Sequence, residues 1–231
     1  MDEAEFDKHV LVYEQQHKQN IAITGEDPSY FAEYKVRLFA DWTQDTARNI
    51  IDFGSGIGNS IPHFRRYFGN SNLACSDISQ KSLEYASRRF PGPEATLKIS
   101  NDGIPAPDKT FDAAFCACVF HHIPHSEHVF WLQELRRVVR PGGLIAIFEH
   151  NPLNPLTRQA VRTCPYDENA RLVPAGQLES SFRSAGVEVL KRRYHIFFPN
   201  FVSALRALEP WMDWLPIGAQ YSVLGRRPRE T

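Results

Sequence analysis

The stretch IIDFGSGIGNS constrains the fold most, because three glycines directly follow a short apolar segment. Residues 49–53 have the composition of a buried strand, and Gly54, Gly56 and Gly58 lead into a helix predicted over residues 59–68. Glycines at such a turn let the backbone pass close to a ligand and adopt conformations that a Cβ forbids. Open α/β sheets bind nucleotide-like ligands at this position. The stretch therefore predicts a parallel sheet with a ligand at the end of its first strand.

The rest of the chain continues the alternation of strands and helices that such a sheet requires. Further strands are predicted at residues 72–77, 96–100, 111–118, 144–148, 187–198 and 219–224. Helices are predicted at residues 126–139 and 175–185, and from Ser79 as N-cap to just before Pro91. We expect residues 1–45 to form an N-terminal helical lid and residues 46–231 to form the main domain. Residues 151–174 and 197–218 are expected to be elaborations on the substrate side.

Composition and charge exclude several functional classes. The chain has 231 residues, 42% of them hydrophobic, and a formal net charge of −1, so nothing favours non-specific binding of nucleic acid. The first residues are acidic and lack an apolar core, and the longest apolar run, residues 113–120, is too short to span a bilayer. We expect a soluble, cytoplasmic protein. The four cysteines lack metal-ligand spacing, so no metal site is predicted, and most of them should be buried.

A carboxylate at the end of the second predicted strand restricts the kinds of ligand that could bind. Asp77 could accept hydrogen bonds from both ribose hydroxyls of an adenosine. The dinucleotide fingerprint G-x-G-x-x-G would require glycine at position 59, where Asn59 stands. A ligand without a pyrophosphate fits better, and a purely structural glycine turn is the alternative.

Together these segments resemble the class I S-adenosylmethionine-dependent methyltransferases of the small-molecule type. The matching stretches are DFGSGIG (52–58), SDIS (76–79), NDGIPAPDKTFD (101–112), CVFHHI (118–123) and LQELRRVVRPGGLIAIFE (132–149). The resemblance implies an α/β, Rossmann-like fold with a seven-stranded mixed sheet of order 3-2-1-4-5-7-6, its last strand antiparallel. It also implies S-adenosyl-L-methionine as the cofactor.

The resemblance assigns cofactor contacts residue by residue. The methionine and ribose end would lie against Asp52, Gly54, Ser55, Gly56 and Gly58. Asp77 would hold the ribose hydroxyls, and Ile78 would pack on the adenine. The adenine edge would meet Asn101, Asp102 and Gly103, Cys118 would lie near the sulfonium, and Tyr30 is expected at the cofactor mouth.

Candidate catalytic residues follow the fourth and fifth predicted strands. Methyl transfer from a sulfonium is an in-line displacement, so alignment of the nucleophile matters most and a general base adds a smaller factor. His121 and His122 follow the fourth strand, and Glu149 and His150 end the fifth. A base and a structural role are equally favoured for His122, whereas a structural role is favoured for His121 and His150. His125 and His128 are expected at the surface.

The acceptor is expected to be an O or N nucleophile of a small, partly apolar molecule of sugar, lipid-linked or natural-product type. A protein-modifying methyltransferase and a non-catalytic cofactor-binding subunit are the alternatives. DNA is disfavoured, because the Asn-Pro string follows the fifth strand rather than the fourth; Asn151 and Asn154 should cap turns there. We expect a helix to be buried against the sheet through Phe201, Leu205, Leu208, Trp211 and Trp214. Tyr30, Phe31 and Tyr166 are expected at the cofactor mouth, where they would be mobile without ligand.

Overall fold

The structure is a computed structural model that describes residues 27–44, 46–164 and 169–230. Within these residues, seven strands form one sheet in the order β3-β2-β1-β4-β5-β7-β6, which confirms the predicted topology. The strands are β1 (Asn49–Phe53), β2 (Asn72–Asp77), β3 (Ala95–Lys98), β4 (Phe111–Ala117), β5 (Val139–His150), β6 (Glu188–His195) and β7 (Gln220–Arg226). Strands β1 to β5 pair in parallel, and β7 runs antiparallel to both β5 and β6.

Helices cover both faces of this sheet. They are α1 (Pro28–Thr43), α2 (Ile61–Tyr67), α3 (Gln80–Arg89), α4 (His128–Val138), α5 (Pro155–Thr163) and α6 (Ala175–Ser184), and a 3₁₀ helix spans Asn200–Trp211. Two predicted caps are confirmed: Ser79 Oγ accepts from the Ser82 N–H at the start of α3, and Asn154 Oδ1 accepts from the Thr157 N–H at the start of α5. These side chains satisfy backbone donors that a helix start leaves without partners.

Alternation of side chains along the strands divides the core into two halves. Ile51 of β1 and Cys116 of β4 belong to the half that packs against α4 and α6. Ile50 and Phe115, their neighbours in sequence, belong to the half that packs against α1, α2 and α3. The central strands are thus apolar on both sides, as expected for a parallel sheet covered on both faces.

The fifth strand is longer than predicted. Strand β5 begins at Val139 and so includes Pro141, Gly142 and Gly143, which precede the predicted strand start at residue 144; the helix before it ends at Val138. The reason is a bulge, because the register of β4 against β5 shifts between Phe111 and Ala113. A Cβ on Gly143 would lie 2.5 Å from the Asp112 carbonyl oxygen, so glycine lets the two strands approach at this point. The third strand also differs, spanning Ala95–Lys98 instead of residues 96–100.

The predicted burial of a late helix against the sheet is wrong. Phe201, Trp211 and Trp214 are 80%, 72% and 70% exposed, and Leu205 and Leu208 are also exposed. Apolar spacing suggested a buried apolar face, but the buried residue of the 3₁₀ helix is charged. Glu209 is buried and accepts hydrogen bonds from the N–H groups of Phe197 and Phe198.

The described part of the expected N-terminal lid is helix α1, and it contributes to the core. Val36 and Phe39 are fully buried, and Phe39 packs against Phe64, Phe68 and Phe115. The boundary at residue 45 and the mobility of the lid stay predictions, and Tyr166 lies outside the described residues. No helix in the described ranges is long and apolar enough to cross a membrane.

Candidate active site

The three glycines after β1 are needed for two different reasons. All have left-handed φ angles, +75°, +52° and +80° for Gly54, Gly56 and Gly58. A Cβ on Gly54 would lie 2.3 Å from Val119 Cγ2, and one on Gly58 would lie 2.8 Å from Ile61 Cδ1. These two glycines therefore allow close packing within the protein. A Cβ on Gly56 would meet no atom within 4 Å, so Gly56 is the glycine whose open side faces free space.

Asp52 lies beside this turn with an unsatisfied carboxylate oxygen. The residue is 2% exposed, and its Oδ2 has no hydrogen-bond partner. Burial, together with the nearby charge of Asp77, raises the pKa of Asp52 to about 8. Buried polar atoms in folded proteins normally have partners. An orphaned carboxylate oxygen next to an open glycine is the arrangement that a cationic group of a ligand would complete.

Asp77 holds the glycine turn against the second strand. Its Oδ2 accepts the N–H of Gly56 at 2.8 Å, and its Oδ1 accepts the N–H of Ser79 at 2.8 Å. The N–H groups of Gly54 and Ser55 both donate to the Ser76 carbonyl oxygen. The carboxylate is thereby fixed at the end of β2, beside Ile78, where the sequence predicts that it meets ribose hydroxyls.

The segment predicted to face the adenine edge forms a tight turn after β3. Asn101 and Asp102 are exposed, and Ser100 and Gly103 exchange backbone hydrogen bonds across them. Gly103 has a φ of +127°, and a Cβ there would lie 2.3 Å from Glu134 Oε2. Glu134 Oε2 also accepts the Ile104 N–H, so α4 positions this turn.

A polar cluster has formed where β4 and β5 end. Cys118 follows β4 with a φ of +59°, unusual for a residue with a Cβ. Lys35 Nζ of α1 donates to Cys118 Sγ at 3.3 Å, His150 is hydrogen-bonded to the same sulfur, and Gln220 Nε2 lies 4.0 Å away. Burial would raise the pKa of Cys118, but the positive charges of His150 and Lys35 lower it to about 6, despite the opposing charge of Glu149. Cys118 is thus a half-buried thiol with a lowered pKa, whereas Cys75 and Cys116 are buried, as expected.

A buried ion pair holds the turn that follows β4. Glu149 is fully buried; its Oε2 lies 2.7 Å from His121 Nδ1, and its Oε1 accepts the N–H groups of Val119 and Phe120. Burial opposes ionisation of Glu149, but the charges of His121 and His150 and these hydrogen bonds lower its pKa to about 2. Glu149 and His121 are thus positioned to orient the turn, with the half-buried His122 ring 4.1 Å from that of His121.

The expectation of a surface position for His128 is wrong. His128 is fully buried, and its Nε2 donates to the carbonyl oxygens of Phe120 and Ile123, both at 3.0 Å. Burial lowers its pKa. His128 therefore holds the same turn that Glu149 holds, which is a reason for a histidine at the start of this helix.

Lys35 and His195 were not predicted from the sequence, because each reaches the site from a distant part of the chain. Lys35 reaches Cys118 from α1, and Tyr34 Oη lies 3.4 Å from His195 Nδ1 at the end of β6. Burial and the charges of Arg193 and Lys35 lower the pKa of His195 to about 3. The spacing of the sequence does indicate that Lys35 is buried. It lies between Phe31 and Phe39 on one face of α1, and all three residues are buried.

Comparison with known proteins agrees with this geometry. A family described as a methyltransferase domain matches residues 51–147. The chain is 24% identical over 196 residues to malonyl-[acyl-carrier protein] O-methyltransferase of Pectobacterium atrosepticum, covering 83% of this chain and 72% of that protein. It is 30% identical over 142 residues to 2-methyl-6-phytyl-1,4-hydroquinone methyltransferase of Synechocystis, covering 54% and 43%. These matches support a class I S-adenosylmethionine-dependent methyltransferase.

The fold of this methyltransferase is shared with solved structures. A Thermotoga maritima protein described as a possible histamine N-methyltransferase superposes with a TM-score of 0.66 at 19% identity, over 97% of this chain and 99% of that one. The matches to the two curated relatives named above differ in extent, and the chain spans less than half the length of the Synechocystis enzyme.

The residues present fit S-adenosylmethionine. The unsatisfied Oδ2 of Asp52 suits the ammonium group of the methionine part, and the open side of Gly56 leaves room for a ligand against the backbone. When bound, the cofactor supplies a methyl group already activated on a sulfonium. The protein must hold the two reactants in line and remove a proton where the nucleophile carries one. The individual cofactor contacts stay predictions.

Proposed function

We propose that the protein transfers a methyl group from S-adenosylmethionine to an O or N nucleophile of a small, partly apolar molecule. The observation that carries the proposal is the cluster of Cys118, Lys35 and His150 at the carboxyl edge of the sheet. This edge is where open α/β sheets bind ligands. Strands β1, β4 and β5 are parallel neighbours in the sheet, so the cluster lies at the same edge as Asp52 and Gly56.

His150, in its neutral form, is the proposed proton acceptor; its protonated form is the one that lowers the pKa of Cys118. It is half-buried at the end of β5, and its ring lies 5.1 Å from that of His121. An imidazole suits proton transfer near neutral pH. His121, in contrast, is buried and held by Glu149, so we assign His121 and Glu149 to positioning. The sequence favoured a structural role for His150; its contact with Cys118 is the reason to prefer it here.

Aromatic side chains support a partly apolar acceptor. Tyr30 and Tyr34 of α1 lie near one another, with ring centroids 6.3 Å apart, and Tyr34 contacts His195 at the same edge. The names of the two curated relatives refer to very different acceptors, a malonyl-carrier protein and a phytyl hydroquinone. They support the reaction class and leave the acceptor open.

Buried thiols such as Cys75 and Cys116 suit a reducing compartment, so we place the protein in the cytoplasm.

The test is a labelling screen. Cell extract, separated into organic-phase, aqueous and protein fractions, is incubated with methyl-labelled cofactor and either the wild-type protein or Asp52→Asn. Label in a small molecule with the wild type alone supports the proposal. Label confined to proteins would instead favour a protein-modifying enzyme. No label in any fraction, with cofactor bound, would favour a non-catalytic cofactor-binding subunit.

A further inference from the structure

The connection between β6 and β7 carries an exposed surface without charge. Between residues 200 and 217, all of which the structure describes, the exposed side chains are Asn200, Phe201, Ser203, Ala204, Leu205, Ala207, Leu208, Pro210, Trp211, Trp214, Pro216 and Ile217. None is charged. Soluble proteins rarely expose a contiguous run of large apolar side chains, and where they do the run marks an interaction site.

The charged residues of this connection are directed into the protein. Arg206 donates to the Phe198 carbonyl oxygen and lies 4.8 Å from the centre of the Tyr30 ring. Glu209 is buried on two backbone N–H groups, and Asp213 pairs with Arg193 at 3.1 Å. Each of these charged groups contacts a partner within the protein, whereas the large apolar side chains lie on the outside. This is the reverse of a helix that buries its apolar face against a sheet.

Helix α5 extends this surface and adds positive charge. Asn154, the cap of α5, donates from Nδ2 to the Ile217 carbonyl oxygen at 2.7 Å, and Thr157 Oγ1 donates to the Ala219 carbonyl oxygen. Leu153 and Leu156 are exposed here at 65% and 57%. The exposed charged residues of α5 are Arg158 and Arg162, both basic. An apolar patch rimmed by arginines complements a bilayer whose headgroups are anionic.

The surface lies at the edge of the sheet that carries the active site. In the sheet register, Gln220 at the start of β7 pairs with both His150 and His195. The connection from β6 to β7 therefore crosses the carboxyl edge, beside the cluster around Cys118. A second copy of the chain fits less well, because a two-fold contact through this patch would bring its basic rims together.

We propose that residues 200–217, together with Leu153, Leu156, Arg158 and Arg162, form a docking surface for the interface of an anionic lipid bilayer. Two exposed tryptophans suit the headgroup boundary, where their rings are amphipathic. The surface would lie in the plane of the interface and hold the opening of the active site against it. The inference concerns the apo protein and does not depend on the identity of the methyl acceptor.

The experiment is co-sedimentation of the apo protein with vesicles, either pure phosphatidylcholine or an equal mixture with phosphatidylglycerol. We expect binding to the mixed vesicles, weakened at least about tenfold in Trp211→Ser/Trp214→Ser. Phe130→Ser, which alters an exposed phenylalanine on α4, is the matched control and should bind as the wild type does. Arg158→Gln and Arg162→Gln should each weaken binding about fivefold at low salt. Arg88→Gln, an exposed arginine of α3, should have no effect.

A second measurement needs no variant and so does not depend on its folding. Trp131 is buried and Trp42 is stacked on Phe148, whereas Trp211 and Trp214 are exposed. Brominated lipids should therefore quench the emission of the wild-type protein on mixed vesicles. Absence of both quenching and sedimentation would overturn the proposal. A second outcome would also overturn it: the wild type is a dimer that does not bind vesicles, and the double substitution converts it to a monomer. In that case a second copy of the chain would cover the surface.

Discussion

The two halves of the active site are built in different ways. On the predicted cofactor side, Asp52, Gly56 and Asp77 come from β1, β2 and the turn between them, within a single strand–helix–strand unit. On the proposed acceptor side, Lys35 contacts Cys118 across 83 residues of sequence, and Tyr34 contacts His195 across 161. The cofactor half is local in sequence, whereas the acceptor half exists only once the whole chain has folded.

This difference separates the residues whose positions the fold determines from the residues that are particular to this chain. The same strand–helix–strand unit can occur in many proteins with the same residue spacing, and it then binds a ligand that these proteins share. A long-range cluster depends on what α1, β5 and β7 carry in this chain. We therefore expect substitutions in the two halves to affect different measurements, cofactor affinity in one and turnover in the other.

The largest expected effect is on turnover, from His150→Ala. Loss of a general base should lower turnover roughly 10²- to 10⁴-fold. Affinity for S-adenosylhomocysteine should stay within a factor of about two, because a residue that acts on the acceptor need not contribute to cofactor binding. Both are measured on the acceptor identified by the labelling screen, with His122→Ala as the comparison. Full activity of His150→Ala combined with loss in His122→Ala would transfer the role to His122.

The next largest effect is on cofactor affinity, from Asp52→Asn. Removing the carboxylate that faces the ligand's ammonium group should weaken binding of S-adenosylhomocysteine by roughly 1.5–3 kcal/mol, or about 10- to 150-fold. Isothermal titration calorimetry measures the change. Lys35→Met, in the other half, should leave this affinity nearly unaltered. Equal losses in the two variants would contradict the division of the site.

Asp52→Asn should also stabilise the apo protein, with a defined pH dependence. The folded pKa of Asp52 is about 8 and therefore raised, so the folded state holds a proton that the unfolded state has already released. The wild-type free energy of unfolding should consequently fall as pH rises from about 4 to about 8. The asparagine variant should lack this decline and be more stable at pH 8, by on the order of 1–3 kcal/mol. Urea denaturation at pH 5 and pH 8 gives both values.

The glycines allow a smaller, structural test of the same turn. Gly54→Ala places a Cβ against Val119 and should destabilise the fold by roughly 1–3 kcal/mol. Gly56→Ala meets open space, so its cost is about 1–2 kcal/mol for the left-handed backbone alone. Gly56→Ala should nevertheless reduce cofactor binding, since the Cβ occupies the open side. Thermal unfolding and calorimetry separate the two effects, and unchanged affinity in Gly56→Ala would move the ligand away from this glycine.

The smallest effect concerns the reactivity of Cys118. Its pKa of about 6 predicts alkylation by iodoacetamide at neutral pH. In Lys35→Met the apparent pKa should rise, because one of the two positive charges is lost, and alkylation should require a higher pH. A Cys164→Ser background removes the other half-buried cysteine, and peptide mass spectrometry locates the label. An unaltered pH profile in Lys35→Met would separate the lysine from the thiol.

The parts of the structure that depend on residues close in sequence were predicted well. The bounds of β1 and β2 and the cap at Ser79 match the structure, because each depends on residues close in the chain. The predictions were wrong where residues distant in the sequence determine whether a side chain is buried. His128 is buried because two carbonyl groups of the post-β4 turn receive its N–H. Trp211 is exposed although apolar spacing suggested burial, because Glu209 takes the inward position.

The most direct test of the account is calorimetric titration of the folded wild-type chain with S-adenosylhomocysteine at pH 7, repeated in phosphate and in Tris. We expect one site and a binding heat that differs between the buffers, because Asp52 gives up its proton when the ligand's ammonium group approaches. In Asp52→Asn the affinity should fall and this buffer dependence should disappear. No binding to the folded wild-type chain, or equal affinity and equal proton release in both proteins, would contradict a cofactor site built around Asp52.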